Sequence, residues 1–302
     1  MFQKCTGRRP GERTDHMPIV LPTDHLSPSQ VGMYTKCGEQ YRRRYVEGER
    51  RPPEVAMLVG RGVHGGAEGR HRRVMDTGEE MPRADVVDLA VAVYDGDVDE
   101  AGEVDLGAEA DRGTDIVIGE ARDRTATLAG CFADKVAPQI RYPIAVEEQI
   151  EIPVERLGIS LLGYLDVAHE REDLVAYPEG DSAVIVEDLK TGTKTRSQAD
   201  VDGDRQLSWY AMGWRHRTGT LPHGVGIRQV LSQKRGPKAV LVESQRTDDH
   251  VAALLKTINA VAVGISAGVF PPAPDGAWWC SARWCGYYST CPYVVGKVIF
   301  HE

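Results

Sequence analysis

The sequence predicts an α/β protein in which a mixed sheet with an inserted helix lies inside a helical shell. Apolar residues recur at helical spacing in the first half of the chain and follow the pattern of strands from about residue 145. The last segment, 270–302, is rich in Pro, Trp, Tyr and Cys. A chain of 302 residues suffices for one large domain or two small ones.

The first half is predicted to be helical. Ser27 or Ser29 can cap a helix that carries four side chains on one face: Tyr34, Cys37, Tyr41 and Tyr45. Three further helices are expected over 56–75, 84–94 and 118–140. The acidic stretch 94–115 is expected to be a loop or a mobile helical hairpin, and residues 1–20 a disordered extension.

Strands follow. The segments IAVEEQIEIPV, ISLLGYLDVAHE and SAVIVEDLKTG predict three consecutive strands at 144–154, 159–170 and 182–192. DRQLSWYAMGWRHR is amphipathic and predicts the inserted helix. GVGIRQVLSQK and KAVLVESQR predict two more strands around a turn at 234–237, and a capped helix is expected over 247–268.

Composition limits the class of protein. No apolar run reaches the ~18 to 20 residues that cross a bilayer, and the first residues are polar, so a cytoplasmic protein without a membrane partner is expected. The net charge of −9 argues weakly against nucleic acid. Basic clusters at 41–51 and 70–73 are nevertheless compatible with a local phosphate-binding surface, or with solvated helix faces.

The stretch VIVEDLKTG contains candidate catalytic residues. Asp188 and Lys190 are two apart on a strand and share one side, whereas Glu187 points to the opposite face. They form either a salt bridge at a strand end or a metal-binding carboxylate beside a catalytic lysine. Asp166 lies 22 residues earlier and can reach the same point if the strands are neighbours. Two carboxylates are ligands that Mg²⁺ or Mn²⁺ accepts.

Two helical pairs can join this site. His64 and Glu68 stand four residues apart in GRGVHGGAE, and so do Gln206 and Tyr210 in RQLSWY. The second pair lies on the helix after the strand of Lys190. Each pair alone is compatible with an ordinary helix face.

The chain resembles the RecB-like branch of the PD-(D/E)xK nuclease superfamily over residues 27–293. The resemblance is carried by four motifs in this order: GRGVHGGAE, G-x-x-D, D-x-K-T-G and Q-x-x-x-Y. The resemblance implies a restriction-endonuclease-like core, a mixed central sheet flanked by helices, with a helical N-terminal part and a Cys-rich tail. It implies one domain at 21–302, with a helical insertion at 75–140, a catalytic core at 145–250 and an iron–sulfur tail at 270–302.

The same resemblance implies a metal-dependent DNA exonuclease acting on single-stranded DNA or on duplex ends, in phage or CRISPR-type processing or recombination in a prokaryotic or infected cell. Mg²⁺ or Mn²⁺ would be held by His64, Asp166, Asp188 and the carbonyl of Leu189. Lys190 would position the attacking water or stabilise charge on the phosphate. The remaining candidates are Gln206 and Tyr210, which would orient the lysine or the strand, and Glu68, which would support a ligand or bind metal itself.

Four cysteines extend the resemblance to the iron–sulfur nucleases of this branch: Cys37, Cys280, Cys285 and Cys291. There a [4Fe–4S] cluster joins the two chain ends through four thiolates. This tail has C-x4-C-x5-C, whereas that family usually shows C-x2-C-x5-C, so Cys280 is displaced. Zinc would use the same ligands, and a metal-free tail is the third alternative. Cys5 and Cys131 are expected to be incidental.

Two other functions stay open. One is a nuclease-inactive, DNA-binding iron–sulfur subunit of a helicase or integrase, and the other is an endonuclease stabilised by zinc. No Walker-type motif is present, so a helicase or a recombination or adaptation protein would be a separate partner. Several aromatic residues are expected either to stack on unpaired bases or to pack in the core: Trp209, Tyr210, Trp278, Trp279, Tyr287 and Tyr288.

Overall fold

The computed structural model describes residues 19–175 and 182–294, and the expected disorder of residues 1–20 therefore falls almost entirely outside the described residues. A mixed sheet forms the centre of the described chain, with strands in the order β1-β3-β4-β5-β6 and with β2 paired to β3. The strands are β1 (His25–Leu26), β2 (Tyr142–Val154), β3 (Ile159–Val175), β4 (Ser182–Gly192), β5 (Gly224–Leu231) and β6 (Lys238–Ser244).

Helices cover both faces of this sheet. They are α1 (Pro28–Lys36), α2 (Gly38–Tyr41), α3 (Val55–Thr77), α4 (Arg83–Ala101), α5 (Thr114–Lys135), α6 (Gln198–Asp202), α7 (Arg205–Thr218) and α8 (Asp248–Ser266). The predicted mixed sheet flanked by helices is thus confirmed, and so are the five predicted strands. Among the described helices, none combines the length and the apolar character that a bilayer crossing requires.

The sheet contains both parallel and antiparallel pairs. The β2–β3, β3–β4 and β5–β6 pairs are antiparallel, whereas β1 pairs with β3 and β4 with β5 in parallel, and β4 and β5 are connected through α6 and α7. A parallel pair requires such a crossover. The crossover brings the first turns of α7 to the C-terminal end of β4, where the Tyr210 hydroxyl reaches Asp188.

One face of the sheet carries α3, α4 and α5. Phe132 of α5 and Val63 of α3 are buried in one hydrophobic cluster with Val167 and Leu189 of the sheet. The helices approach closely because α3 is rich in glycine: a Cβ atom at Gly62 would lie 2.8 Å from the carbonyl oxygen of Ala90. The predicted insertion at 75–140 therefore contributes a layer of the main core.

The opposite face carries α7, α8 and α1. Trp209, which is 1% exposed, packs with Leu26 and Leu161 of the sheet and with Ile258 of α8. Leu207 and Tyr210 belong to a neighbouring cluster with the same sheet face. The inserted helix is thereby fixed on two sides, which holds its first turn beside the end of β4.

Two helical predictions are wrong in detail. The first predicted helix is interrupted at Cys37, which is extended with φ of −164°, and a π-helical turn over Arg42–Val46 follows α2. The break brings Gly38 against the tail, because its N–H donates to the carbonyl of Pro271 at 2.7 Å. The helix predicted over 84–94 is longer, since α4 continues to Ala101, and a 3-10 turn over Gly107–Arg112 precedes α5, so the acidic stretch takes the helical-hairpin alternative.

Candidate active site

The candidate active site lies where β3 and β4 separate. Their pairing ends at Val167 and Glu187, and β4 then continues beside β5. The next residues, Asp166 and Asp188, therefore face each other across the opening of this fork. Asp188 is 1% exposed. The structure thus brings together two carboxylates that the sequence places 22 residues apart.

A single hydroxyl group links these two carboxylates. The Tyr210 oxygen lies 3.1 Å from Oδ1 of Asp166 and 3.2 Å from Oδ1 of Asp188, so its one proton is shared between them. Gln206, one turn earlier on α7, donates from Nε2 to the Tyr210 oxygen at 2.7 Å. Both predicted α7 residues therefore orient the carboxylates through hydrogen bonds.

Lys190 extends into the same site. Its Nζ donates to Oδ1 of Asp188 at 2.9 Å. Burial opposes the lysine charge, but the carboxylates of Asp188 and Asp166 outweigh it and raise the pKa of Lys190. The lysine is therefore a cation in this arrangement, which suits it to hold a phosphate oxygen and leaves it no lone pair with which to act as a base.

The two aspartates show the cost of crowding negative charge. Burial first, and then the Asp166 charge, raises the pKa of Asp188 to about 6. Burial likewise raises the pKa of Asp166, although His64 and Lys190 act in the opposite direction. A cation between the two carboxylates would relieve this repulsion.

His64 reaches the site from α3. Its Nε2 donates to the carbonyl oxygen of Leu189 at 2.6 Å, which directs Nδ1 toward the acids. Nδ1 lies 3.6 Å from Oδ2 of Asp166 and 3.8 Å from Oε1 of Glu147. Burial disfavours the imidazolium, yet Glu147 and Asp166 raise the pKa of His64. The predicted ligands His64 and Leu189 are thus both at the fork, joined by a hydrogen bond.

Glu147 is a site residue that the sequence did not predict. It stands on β2 opposite Asp166, because the flanking pairs join Val146 to Val167 and Glu148 to Leu165. Its φ of 45° is the one positive value of a non-glycine residue in the described chain. The left-handed region costs such a residue roughly 1 kcal/mol or more.

In both strands the alternation of side chains between the two faces of the sheet shifts by one residue, which explains why the sequence did not predict Glu147. Ala145 and Ile150 are five residues apart on β2 yet pack on the same side of the sheet, and Leu165 and Ala168 of β3 do likewise. Strict alternation would place each pair on opposite faces. The positive φ of Glu147 marks the point of this switch, and the local sequence EE in IAVEEQ is compatible with exposed strand residues.

A small cavity of about 20 Å³ lies between these donors and the apolar core, and its lining includes Phe132 and Val136 as well as His64, Glu68, Glu147 and Asp166. That volume accommodates about one water molecule or ion. His64, Glu147 and Asp166 place ligand atoms within 4.8 Å of one another. Glu68 lines the cavity but is not part of this group of ligand atoms. Its carboxylate instead accepts a hydrogen bond from Nε of Arg72 at 2.8 Å.

The donor chemistry fits a hard divalent cation. The donors are carboxylate oxygens with one imidazole nitrogen and one backbone carbonyl, a set that favours Mg²⁺ or Mn²⁺ over soft metals. Burial raises the pKa of Asp166 and Asp188, and the charge of Asp166 adds to this effect at Asp188, so a cation bound between the carboxylates would favour their ionised forms. The residues present therefore fit the metal that the resemblance implies.

Glu187 lies on the other side of β4, as the alternation predicts. Its side chain is 0% exposed and forms two hydrogen bonds of 2.7 Å with Arg228. His169 Nε2 lies 3.1 Å from the same carboxylate. Burial would raise the pKa of Glu187, but His169 and Arg228 lower it to about 2. Glu187 thus belongs to a buried ion pair beneath the fork.

An open groove of about 830 Å³ leads away from the fork between α1 and the first turn of α7. Lys190 and Gln206 line it, together with Arg196, which precedes α6, and Arg205, the first residue of α7. Arg205 donates to the hydroxyl of Thr35 at 2.9 Å. The groove gives an extended, charged substrate access to Lys190.

The four predicted cluster cysteines are neighbours. Burial first, and then the thiols of Cys285, Cys291 and Cys37, raises the pKa of Cys280. Cys37 is buried at the start of α2, and Gln40 donates to Sγ of Cys285 at 3.1 Å. Sequence positions almost 250 residues apart are therefore near one another, although within the described residues no three of these thiols bring their sulfur atoms within 4.8 Å of one another. Cys131 is buried elsewhere, among the α3–α5 core residues, and Cys5 lies outside the described residues.

Polar contacts attach the tail beside these thiols. Arg43 donates to the hydroxyl of Thr290 at 2.6 Å and to its carbonyl at 2.7 Å. The Tyr287 hydroxyl donates to the carbonyl of Glu49 at 2.7 Å. These hydrogen bonds thus attach residues 287–290 of the tail, which lie between Cys285 and Cys291, to residues 43–49.

Comparisons with known proteins agree with this geometry. The family model of the PD-(D/E)XK nuclease superfamily matches residues 25–292. The fold is similar to the crystal structure of a proposed exonuclease from Eubacterium rectale, at a TM-score of 0.50 and 12% identity over 88% of each chain. The crystal structure of SSO0001 aligns over 87% of this chain and 95% of its own at 12% identity, and its TM-score of 0.32 supports no conclusion. No curated protein matches the sequence.

Proposed function

We propose that the chain, which belongs to the PD-(D/E)XK nuclease superfamily, is a divalent-metal-dependent exonuclease that hydrolyses the phosphodiester bonds of DNA. The observation that carries the proposal is the fork itself. Asp166, Asp188 and Lys190 meet there within one network of hydrogen bonds that Tyr210 completes. A nuclease that had lost its activity would be expected to lack at least one of these groups.

Asp166, Asp188, Glu147 and His64 would hold the metal, with the carbonyl of Leu189 as a further ligand. When bound, Mg²⁺ or Mn²⁺ polarises the scissile phosphate and lowers the pKa of a coordinated water. Tyr210 keeps the two aspartates in place before binding, because its hydroxyl bridges them. The site is therefore organised in advance for its ion.

Lys190 would act on the phosphate. It is held as an ammonium group by Asp188 and is a third exposed, so it can reach substrate from the groove. From this position it donates hydrogen bonds to a phosphate oxygen and stabilises the negative charge that develops there. Its raised pKa makes a general-base role unfavourable.

Exonuclease action on single strands is supported by the RecB-like order of motifs and by the open groove that Lys190 lines. The groove also contains the guanidinium groups of Arg205 and of Arg196, the latter paired with Asp204 at 2.8 Å, and a phosphate could bind to either. A helicase or a recombination protein would supply the strand, since the chain has no Walker-type motif.

The tail cysteines would hold a [4Fe–4S] cluster. The support is the convergence of Cys37 with the three tail thiols, and four thiolates are the set that such a cluster requires. The cluster would join the N-terminal helices to the tail. Anaerobically purified protein is then brown and contains iron and sulfide, whereas a zinc-bound tail would be colourless.

The function is tested with linear and covalently closed circular single-stranded DNA in Mn²⁺, in Mg²⁺ and in chelator. The proposal predicts that metal-dependent degradation occurs on the linear strand and is absent on the circle. Cleavage of the circle would instead indicate an endonuclease. Intact linear and circular strands with folded, brown protein would favour the inactive iron–sulfur subunit.

A further inference from the structure

A second groove, of about 540 Å³, lies beside the tail and shares no lining residue with the groove at Lys190. Lys36, Gln40 and Arg44 follow one another at four-residue spacing along one of its walls. Arg50 and Trp284 line it as well. We call this set of residues, together with Trp278, the basic aromatic wall.

The cations of the wall are not neutralised. Within residues 19–175 and 182–294, no carboxylate lies at salt-bridge distance from Lys36, Arg44 or Arg50, although Arg42, Arg43 and Arg51 beside them are all paired with glutamates. In addition, Nε of Arg44 is buried without a hydrogen-bond partner. Unpaired cations on a protein of net charge −9 indicate an anionic ligand.

Exposed aromatic rings stand next to these cations. Trp278 is 68% exposed and Trp284 is 50% exposed, and their rings contact edge to face with centroids 5.7 Å apart. The Arg283 guanidinium lies 5.1 Å from the Trp284 ring centre. By contrast Trp209, Tyr210 and Tyr287 are buried. Two adjoining exposed rings offer a surface on which unpaired bases can stack.

The rest of the groove is acidic. Glu54, Asp97, Glu100 and Asp105 line it from the start of α3, the end of α4 and the turn that follows. Duplex DNA carries two rows of phosphates and would bring one of them toward these acids. A single strand has one row of phosphates and unpaired bases, which matches a wall of cations and free aromatic rings.

We propose that the basic aromatic wall is a second binding site for single-stranded nucleic acid. Lys36, Arg44 and Arg50 bind phosphates, while Trp284 and Trp278 stack on unpaired bases. This inference rests on the proposed function, since it names a second contact for the same substrate. The wall lies on the segments that the four cysteines join, so its geometry depends on the tail being attached to α1 and α2.

The test measures the binding of a fluorescent single-stranded oligonucleotide by anisotropy, with full-length Asp188→Asn protein in chelator so that no cleavage occurs. A strand of the same length without bases is the second probe. Trp284→Ala should weaken binding of the base-containing strand on the order of tenfold and leave the abasic strand unchanged. Trp284→Phe, which keeps a ring, should restore most of the affinity.

Two controls accompany this comparison. Tyr142→Ala removes an aromatic ring that is 47% exposed and lies outside the wall, and it should change neither affinity. Lys36→Ala with Arg50→Ala should weaken both strands alike and reduce the dependence of binding on salt concentration, because these residues contact phosphates.

The inference is overturned if Trp284→Ala binds the base-containing strand as tightly as the parent does, in which case the wall serves a protein partner. It is also overturned if Trp284→Ala weakens both strands equally, since stacking requires bases. The outcome is separable from that of the nuclease proposal. Wild-type protein that binds through Trp284 but never cleaves would retain this inference and remove the nuclease function.

Discussion

The carboxylate of Glu147 stands opposite Asp166 on a neighbouring strand, at a residue whose φ of 45° belongs to the left-handed region. Backbone strain that persists beside a group of potential ligands indicates a functional constraint. The strain and the carboxylate can be separated by substitution, because glycine removes both whereas glutamine removes only the charge.

We expect Glu147→Gly to raise the free energy of unfolding in chelator by about 1 kcal/mol, since glycine adopts this φ without strain. Both Glu147→Gly and Glu147→Gln should weaken Mn²⁺ binding at least about tenfold. Calorimetric titration with Mn²⁺ and urea unfolding measure the two effects. Unchanged Mn²⁺ affinity in both variants would remove Glu147 from the ligand set.

The buried ion pair beneath the fork predicts a large effect on stability. Arg228→Met removes the guanidinium from the buried Glu187 carboxylate, leaves it His169 as its remaining partner and should cost about 3 kcal/mol. The double variant Glu187→Gln/Arg228→Met leaves no charge and should recover most of that loss. Urea unfolding measures both.

A surface pair provides the control for this prediction. Arg122 and Asp95 are 51% and 42% exposed, so Arg122→Met should change the free energy of unfolding by less than about 1 kcal/mol. Equal losses in Arg228→Met and Arg122→Met would contradict the account of Glu187.

His71 predicts a dependence of stability on pH. Burial first, and then Arg70, lowers the pKa of His71 from 6.5 to about 3. The unfolded chain therefore binds a proton there that the folded chain does not, between those two pH values. The stability associated with neutral His71 is complete above pH 6.5 and is lost as the pH falls toward 3, at up to about 1.4 kcal/mol per pH unit.

His71→Gln should remove this contribution, because glutamine keeps an acceptor for Arg70 but does not titrate. Unfolding free energies of wild-type and variant protein, measured at a series of pH values below 7, give the difference directly. Parallel pH curves for the two proteins would show that His71 is not the titrating group.

The cysteine site predicts a selective loss of metal. Cys285→Ser should lose most of the about four iron atoms expected per chain and much of the thermal stability, because the ligands join distant segments. Cys131→Ser, in the core between α3 and α5, should retain its iron. Iron and sulfide analysis with thermal unfolding measures this. Equal iron in both variants would exclude Cys285 as a ligand.

The sheet and the fork could be predicted because their signals are local. A β-branched run that ends in Asp188 and Lys190 carries its own strand period, and Gln206 and Tyr210 are one helical turn apart. The order of these motifs then placed them on neighbouring elements. Alternation also assigned Glu187 to the opposite face, where Arg228 binds it.

The features that were missed depend on contacts distant in sequence. The break at Cys37 follows from the approach of Gly38 to Pro271, which no local pattern encodes. Glu147 was missed because the alternation of side chains shifts in β2 and β3 together, whereas the sequence of each strand alone predicts regular alternation. The length of α4 was underestimated because its acidic end resembles a loop, although its buried residues Val86, Ala90 and Tyr94 keep helical spacing.

The central claim is that the fork at Asp166 and Asp188 cleaves DNA with the help of a divalent metal. The most direct measurement compares wild-type and Asp188→Asn protein on linear single-stranded DNA, labelled at one end or the other, in Mn²⁺. The account predicts progressive shortening from one end by the wild type and a rate at least about a thousandfold lower for folded Asp188→Asn protein. Equal rates for the two proteins would contradict it.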